Sequence, residues 1–310
     1  MDILQKESLQ NGFSLDRLRS LLAVHEAGYI ANAAGKDRVR ANMISRQIGE
    51  LEKFFGTTLR SKKGKLATLN EEGAELAKIT KTFLHSLGDF MDRVDGKPAT
   101  LSIGTGSSII ETLLLPQLKQ LCKATAGARI MFHNLRSSEI ANQVTQGTLD
   151  LGIVSETRLS KSLTSKPLGK VTFDLCLPLH LIGQNKTKDP IKLMSELPLV
   201  SMDGKGEIRL AIEDEFQAKS QIFRPSLEFS SYGLIANALN SKQYCGILPS
   251  FFKQQFPQKD FKFLKIQGLR KLTREYVICW NQSILPLKEK TMIGAIDAIE
   301  ETFKNACQLN

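Results

Sequence analysis

Cysteine is sparse and unpaired in this 310-residue chain: Cys122, Cys176, Cys245, Cys279 and Cys307 are odd in number, scattered, and never spaced C-x-x-C. That excludes a disulfide framework and a zinc knuckle and fits a reducing compartment. Histidine is scarcer still. The four (His25, His85, His133, His180) lie far apart and outside any ligand-like motif, so no metal site is expected. Also missing are the Gly-Lys-Ser/Thr of a phosphate loop, the dinucleotide fingerprint, G-x-S-x-G and H-E-x-x-H. Nothing in the sequence marks Cys122 as a nucleophile, so neither catalysis nor a cofactor is expected. No uninterrupted apolar run approaches the ~18–20 residues that span a bilayer. Met1-Asp2-Ile3-Leu4-Gln5-Lys6-Glu7 lacks the basic-then-apolar order of a signal peptide. A cytoplasmic protein without membrane contact is expected.

What is present is an ordinary soluble mix, 42% hydrophobic and 24% charged, enough for a packed core. Forty-two Lys and Arg outnumber thirty-two Asp and Glu, a formal charge of +10. That balance favours polyanions or small anions as partners and says nothing of fold.

The cations are not spread evenly. Residues 36–65 hold nine (Lys36, Arg38, Arg40, Arg46, Lys53, Arg60, Lys62, Lys63, Lys65) against three anions (Asp37, Glu50, Glu52). Around them the periodicity is helical. Leu15, Leu18, Leu22 and His25 form one stripe behind a plausible N-cap, Ser14, and Gly28 ends the helix. Small residues follow (Ile30-Ala31-Asn32-Ala33-Ala34), then a turn at Gly35. From Ala41 to Phe55, Ile44, Ile48, Leu51 and Phe55 make an apolar stripe opposite Asn42, Ser45, Arg46, Gly49 and Lys53. Three short helices, the last with a polar leading end, are what a helix-turn-helix requires. Its small polar and cationic side chains, Arg40, Asn42, Ser45 and Arg46, become candidates for the major groove of double-stranded DNA. Arg60-Ser61-Lys62-Lys63-Gly64-Lys65-Leu66 suggests a hairpin wing whose Lys62, Lys63 and Lys65 lie along phosphates.

Asn70 to Val94 reads as one long helix, capped by Asn70 with Glu71 and Glu72 in its first turn. Leu76, Phe83 and Phe90 recur every seven residues, as do Thr80, Leu87 and Val94. That pattern implies a seam against another helix, favouring a homodimer.

Residues 13–73 resemble the winged helix-turn-helix of LysR-type transcriptional regulators. The resemblance rests on the leading Leu-rich helix, Ala33-Ala34, Ile44-Ser45-Arg46-Gln47-Ile48, Leu51-Glu52, Phe55-Gly56, Leu59 and Leu69-Asn70-Glu71-Glu72-Gly73. Three departures stand out. Asp37 replaces an apolar residue, Arg40-Ala41-Asn42 replaces a Ser-Gln-Pro-like entry, and Arg60 falls where an aromatic normally packs under the wing. The resemblance implies paired heads on a dyad site, a homotetramer beyond the dimer, and contact with RNA polymerase.

After Gly96-Lys97-Pro98, strands and helices alternate, which implies an α/β region with a parallel sheet. Strands are expected at 101–105, 128–133 and 149–154, helices at 109–122 and 138–146, and a restarted sheet over 167–183. Helix then strand follow within 229–248, then a strand at 276–280 and a closing helix at 287–303. The same family's effector domain, bilobed and of type 2 periplasmic-binding-protein-like architecture, is similar over roughly 100–300. The match is strongest at Leu101–Gly104, Leu149–Val154 and Gly246–Pro249.

The expected organisation is therefore α/β overall. It comprises an all-α winged head (1–69), a linker helix (70–97) and an effector domain (98–310), with lobe I at 98–166 and 268–310 and lobe II at 167–267. The resemblance places Thr105, Ser107, Ser108, Ser201, Met202, Ser230 and Ser231 at a cleft for a small-molecule effector. Residues 97–310 carry +8, which favours an anionic one. A solute-binding protein of the same bilobed form is the rival reading; it predicts a signal peptide and no basic head.

Overall fold

Ser14 opens the first helix, its hydroxyl accepting the Arg17 amide 3.4 Å away, and α1 (Leu15–Ala27) runs to Gly28. A single turn, α2 (Ile30–Ala33), leads to α3 (Arg38–Phe55). In the computed structural model, which describes residues 13–63, 66–183, 187–204, 206–269 and 273–308, α3 begins earlier than the apolar stripe predicts. Asp37 is the reason: its carboxylate accepts the Val39 and Arg40 amides at 2.8 and 3.3 Å and caps the helix. The chain divides into two units, one reaching Gly96 and including Gln146–Thr148, the other the remainder.

In the first unit Leu18, Leu21 and Val24 of α1 meet Ile44, Ile48 and Leu51 of α3, with Leu59 and Ala77 closing the core. Each fully buried Leu or Ile contributes roughly 1.5–3 kcal/mol. The expected Phe55 packs half-buried against this core, and Phe54 is buried beside it in a cluster with Phe13. β1 (Arg60–Lys63) and β2 (Leu66–Leu69) pair antiparallel as the hairpin, Arg60 opposite Leu69. Asn70 caps α4 (Glu71–Val94) through the Gly73 amide at 2.9 Å. Gly73 is required there because a Cβ would overlap the Leu59 carbonyl.

The second unit holds two five-stranded sheets. Lobe I is ordered β4-β3-β5-β12-β6, from β3 (Thr100–Thr105), β4 (Arg129–Asn134), β5 (Leu151–Ser155), β6 (Thr164–Val171) and β12 (Arg274–Trp280). Lobe II is ordered β11-β7-β10-β8-β9, from β7 (Phe173–Pro178), β8 (Leu199–Met202), β9 (Leu227–Phe229), β10 (Cys245–Pro249) and β11 (Phe261–Lys265). The crossover lies at Thr172, later than the expected boundary after residue 166, because β6 pairs along its length with β12.

The helix expected over 109–122 is interrupted. Short α5 (Ser107–Ile109) passes into a π turn, then a 3-10 turn carrying Pro116, then α6 (Leu118–Ala124). Proline cannot donate to the helical ladder, which explains the break. The remaining helices are α7 (Ser137–Thr145), α8 (Leu179–Gly183), α9 (Pro190–Glu196), α10 (Glu207–Ala218), α11 (Tyr232–Leu239) and α12 (Glu289–Gln308). One apolar cluster runs through both lobes, from Leu101, Ile103 and Phe303 to Val200, Ile235 and Phe252. Cys176, Cys245 and Cys279 lie within the packed interior, where burial pushes the Cys245 and Cys279 thiols up to about 12.

A charged residue, Asp150, lies buried in the lobe I core. Its carboxylate accepts the Ser102 amide and hydroxyl, both at 2.7 Å, and pairs with Lys288 at 3.0 Å. Lys288 also donates to the Thr100 carbonyl at 2.9 Å, so the start of α12 is tied to β3. Removing one partner of a buried pair leaves an uncompensated charge. Lys288→Met is therefore expected to cost roughly 3–5 kcal/mol, read in urea by the fluorescence of Trp280, the chain's single tryptophan.

Candidate nucleic-acid interface and effector cleft

α3 buries Ile44, Ile48 and Leu51 and turns its other side outward, exposing Arg40, Asn42 and Arg46. Arg46 is 83% exposed and pairs with Glu50 one turn on at 3.2 Å. Glu50 also reaches Arg17 of α1, bracing the two helices. Its hydrogen bond from Arg46, with Arg17 adding to it, holds the carboxyl below the usual carboxylate range. An open groove runs along each flank of α3, one walled by Ser14, Arg17 and Gln47, the other by Gly49, Thr58 and Arg60. Asn42 and Arg46 line both, so they stand on the ridge between.

Ser45 is half-buried and lines the second groove together with Asn42 and Arg46. Its hydroxyl and carbonyl accept Nη1 of Arg60 at 2.9 and 3.0 Å, which ties it to the wing as well. The other side of the guanidinium grips Glu52, Nη2 at 2.5 Å and Nε at 3.2 Å. Glu52 further accepts the Leu59 and Arg60 amides at 2.9 and 3.2 Å. Burial opposes ionisation of Glu52, yet the Arg60 and Leu59 donors outweigh it and hold its pKa down. Arg60 thus replaces an aromatic plug under the wing with a polar clamp. Lys62 and Lys63 lie on β1; Lys65 falls outside the described residues.

Sequence reasoning missed Val39 and Met43, both exposed on α3. Each lies three residues before Asn42 or Arg46, which puts it on the same side of the helix, but an apolar residue does not announce itself as a contact.

In the effector domain the expected residues separate. Thr105 is fully buried and donates to the Ile153 carbonyl at 3.3 Å, so its side chain serves the β3–β5 contact rather than the cleft. Leu101, Ile103 and Thr105 share one strand face, which explains it. Ser201 is buried in lobe II against Arg209, whose guanidinium lies 4.3 Å over the Phe223 ring and pairs with Glu213 and Glu228. Met202 is half-buried beside it.

Ser107, Ser108 and Ser231 are half-buried like Met202, and Ser230 is exposed; these four serines lie at the starts of α5 and α11. The Ser107 amide donates to Asn134 at 2.9 Å, and Ser231 caps α11 through the Leu234 amide at 3.3 Å. Between them lies a residue no motif marked. The Glu111 carboxylate of lobe I rests against Gly233 of lobe II, where any side chain would meet it. Nearby, Glu207 of lobe II pairs with Arg158 at 3.2 Å and Arg274 at 3.7 Å, both from lobe I. Arg274 also lies over the Phe173 ring, 5.6 Å from its centroid.

Two family models match the chain. Residues 15–74 fit a bacterial regulatory helix-turn-helix protein of the lysR family, and residues 95–297 fit the LysR substrate binding domain. The chain belongs to the LysR family of transcriptional regulators. Among its LysR relatives is a probable RuBisCO transcriptional regulator of Cyanophora paradoxa, 28% identical over 244 residues, 74% of each chain. The regulator HdfR of Yersinia enterocolitica is 23% identical, over 78% of this chain and 83% of its own. Full-length LysG of Corynebacterium glutamicum, solved with bound effector Arg, shares the fold with a TM-score of 0.62 at 15% identity. That match covers 93% of this chain and 99% of LysG. Full-length CbnR in complex with its target DNA shares it with a TM-score of 0.52 at 18% identity, over 92% and 100%. In this LysR protein the helix-turn-helix segment holds α1–α3 and the wing, and the substrate-binding segment holds both sheets.

The clamp has a pH signature. Because the Glu52 pKa is lowered by folding, its stabilisation is complete above the ordinary glutamate range, about 4.3. It is lost as pH falls through the lower folded value. Arg60→Ala should destabilise the N-terminal unit by about 1.5–3 kcal/mol at neutral pH and flatten that acid limb, as followed by calorimetry between about pH 3 and 7.

Proposed function

We propose that α3 enters the major groove of double-stranded DNA with Asn42 and Arg46 at the base edges. Arg40 stands at the groove margin, and Lys62, Lys63 and Lys65 contact phosphate from the wing. The observation that carries this reading is the ridge. Asn42 and Arg46 stand exposed between two open grooves on a helix whose opposite face fills the core. Ser45 supports the reading indirectly, by fixing α3 to Arg60 and the wing. The protein works as a cytoplasmic regulator without enzymatic activity of its own.

A dimer would present two such heads to successive grooves. Ile79, Phe83, Phe90 and Val94 of α4 are exposed, and with half-buried Leu87 they fall at spacings of three and four. We read that stripe as the pairing seam of a homodimer, with tetramers and contact to RNA polymerase following on further surfaces.

The cleft takes a small-molecule effector beside Ser107, Ser108, Ser230 and Ser231. Charge balance alone favours an anion there, but Glu111 already places a carboxylate at the start of α11. A ligand carrying a hydrogen-bond donor, such as an ammonium or amide, beside any anionic group satisfies Glu111 in place.

A salt titration of duplex binding by the full chain tests the DNA reading. Each phosphate contact contributes about 0.9 to the slope of log K against log salt. Lys63→Ala should lower that slope by about one and weaken all sequences alike. Arg46→Ala should instead cost about 1–3 kcal/mol on the preferred site and relax its base preference. No duplex binding in dilute buffer would refute the reading. For the seam, Phe83→Glu combined with Phe90→Glu should yield monomers by sedimentation and weaken operator binding; an unchanged oligomer would place the interface elsewhere.

A further inference from the structure

Val39 and Met43 are conspicuous on a surface made for a polyanion. They are 79% and 50% exposed, while Ile44, Ile48 and Leu51 on the same helix are at most 2% exposed. At about 100° per residue, Val39, Asn42, Met43 and Arg46 fall within one arc of about 100° on the side of α3 away from its core. The pair therefore sits inside the cationic face, flanked by Arg40 and Arg46, and nothing among the described residues of the N-terminal unit buries it. Fold stability does not call for it. Val39 is the second residue of α3, where a β-branched side chain adds no helix propensity and reaches no core.

Phosphates and sugars give apolar side chains no strong partner, and no standard base other than thymine carries an alkyl group in the major groove. Thymine is different, because its C5-methyl group projects into the groove.

We propose that Val39 and Met43 form a two-residue apolar reader of thymine methyl groups. Each half-site then carries thymine next to the base that Asn42 engages. Val39, near the leading end of α3, supplies a rigid contact, and Met43 a flexible one that fills the space beside the methyl. The inference rests on α3 being the groove-reading helix and adds which base it selects and by what chemistry.

The test separates the two readings. Preferred duplexes are selected from a random pool with the full-length protein, and each thymine is then replaced by deoxyuridine, which removes the methyl and leaves every hydrogen-bonding group. The expected result is about a fourfold loss of affinity per contacted methyl, the worth of one buried CH₂ group. 5-Bromodeoxyuridine, whose bromine fills the methyl's volume, should restore binding. Val39→Ala with Met43→Ala should bind thymine and uracil duplexes equally, with the salt slope unchanged. Both positions are exposed and alanine favours helix, so the variant keeps its fold. Equal binding of thymine and uracil duplexes by the wild-type protein at every position, with a normal salt slope, overturns this inference and leaves the groove reading intact. So does a double variant that keeps the wild-type thymine preference. Failure to bind any duplex overturns both.

Discussion

The geometry of the N-terminal head depends on where Arg60 puts its guanidinium. A cation 29% exposed beneath the wing would be costly alone. Here it meets two Glu52 oxygens and two Ser45 oxygens, which satisfies it from both sides. An exposed ion pair is worth about 0–1 kcal/mol, but charge-assisted bonds in a fork geometry are stronger and directional. Direction is what matters. Arg60 is the first residue of β1, Glu52 and Ser45 sit on α3, and Glu52 also holds the Leu59 and Arg60 amides. The start of β1 is therefore tied to α3 through both sides of one guanidinium and through two backbone amides.

The effector unit uses the same device twice, at two depths. Asp150 and Lys288 are nearly inaccessible, and their pairing with Ser102 and Thr100 pins α12 to β3. Arg158 and Arg274 meet Glu207 across the lobes where water competes, Glu207 being 63% exposed. Depth decides their worth: the buried pair is costly to break from one side, and the exposed contacts contribute about 0–1 kcal/mol each.

Much of this was legible because helical period and cap chemistry are local. Ser14, Asn70, the α3 core stripe and the wing hairpin follow from spacing and side-chain type alone. Asp37 and Arg60 also stood out in the sequence, as departures from a pattern, but their roles as cap and clamp needed coordinates because their partners are set by tertiary approach. Thr105 was misplaced although its alternation with Leu101 and Ile103 marks it as interior; the hydroxyl drew attention over the period. The helix expected over 109–122 runs straight through Pro116, although a proline in mid-helix is a local sign of a break. In lobe II, β8 spans four residues and offers too few positions for any period, whereas α10 carries a readable one in Ile208, Ile212 and Phe216 that went unread. Glu111 was invisible because what makes it notable is Gly233, more than a hundred residues away.

Where stiffness resides limits how an effector can act. The lobes share one buried apolar cluster, so separating them wholesale would expose Val200, Ile235, Phe252 and their neighbours to water at about 25 cal/mol per Å². Moving a two-state equilibrium from 1:99 to 99:1 needs a differential affinity of about 5.5 kcal/mol, within reach of a small ligand but far below the cost of opening that core. The groups that can change at such a cost lie at the rim. They are Glu207 with its two arginines, and Glu111 against Gly233. Each of these contacts is worth about 1 kcal/mol or less where exposed. On the proposed reading, an effector would bias the lobes by trading these exposed contacts, while the shared apolar cluster stays the fixed part.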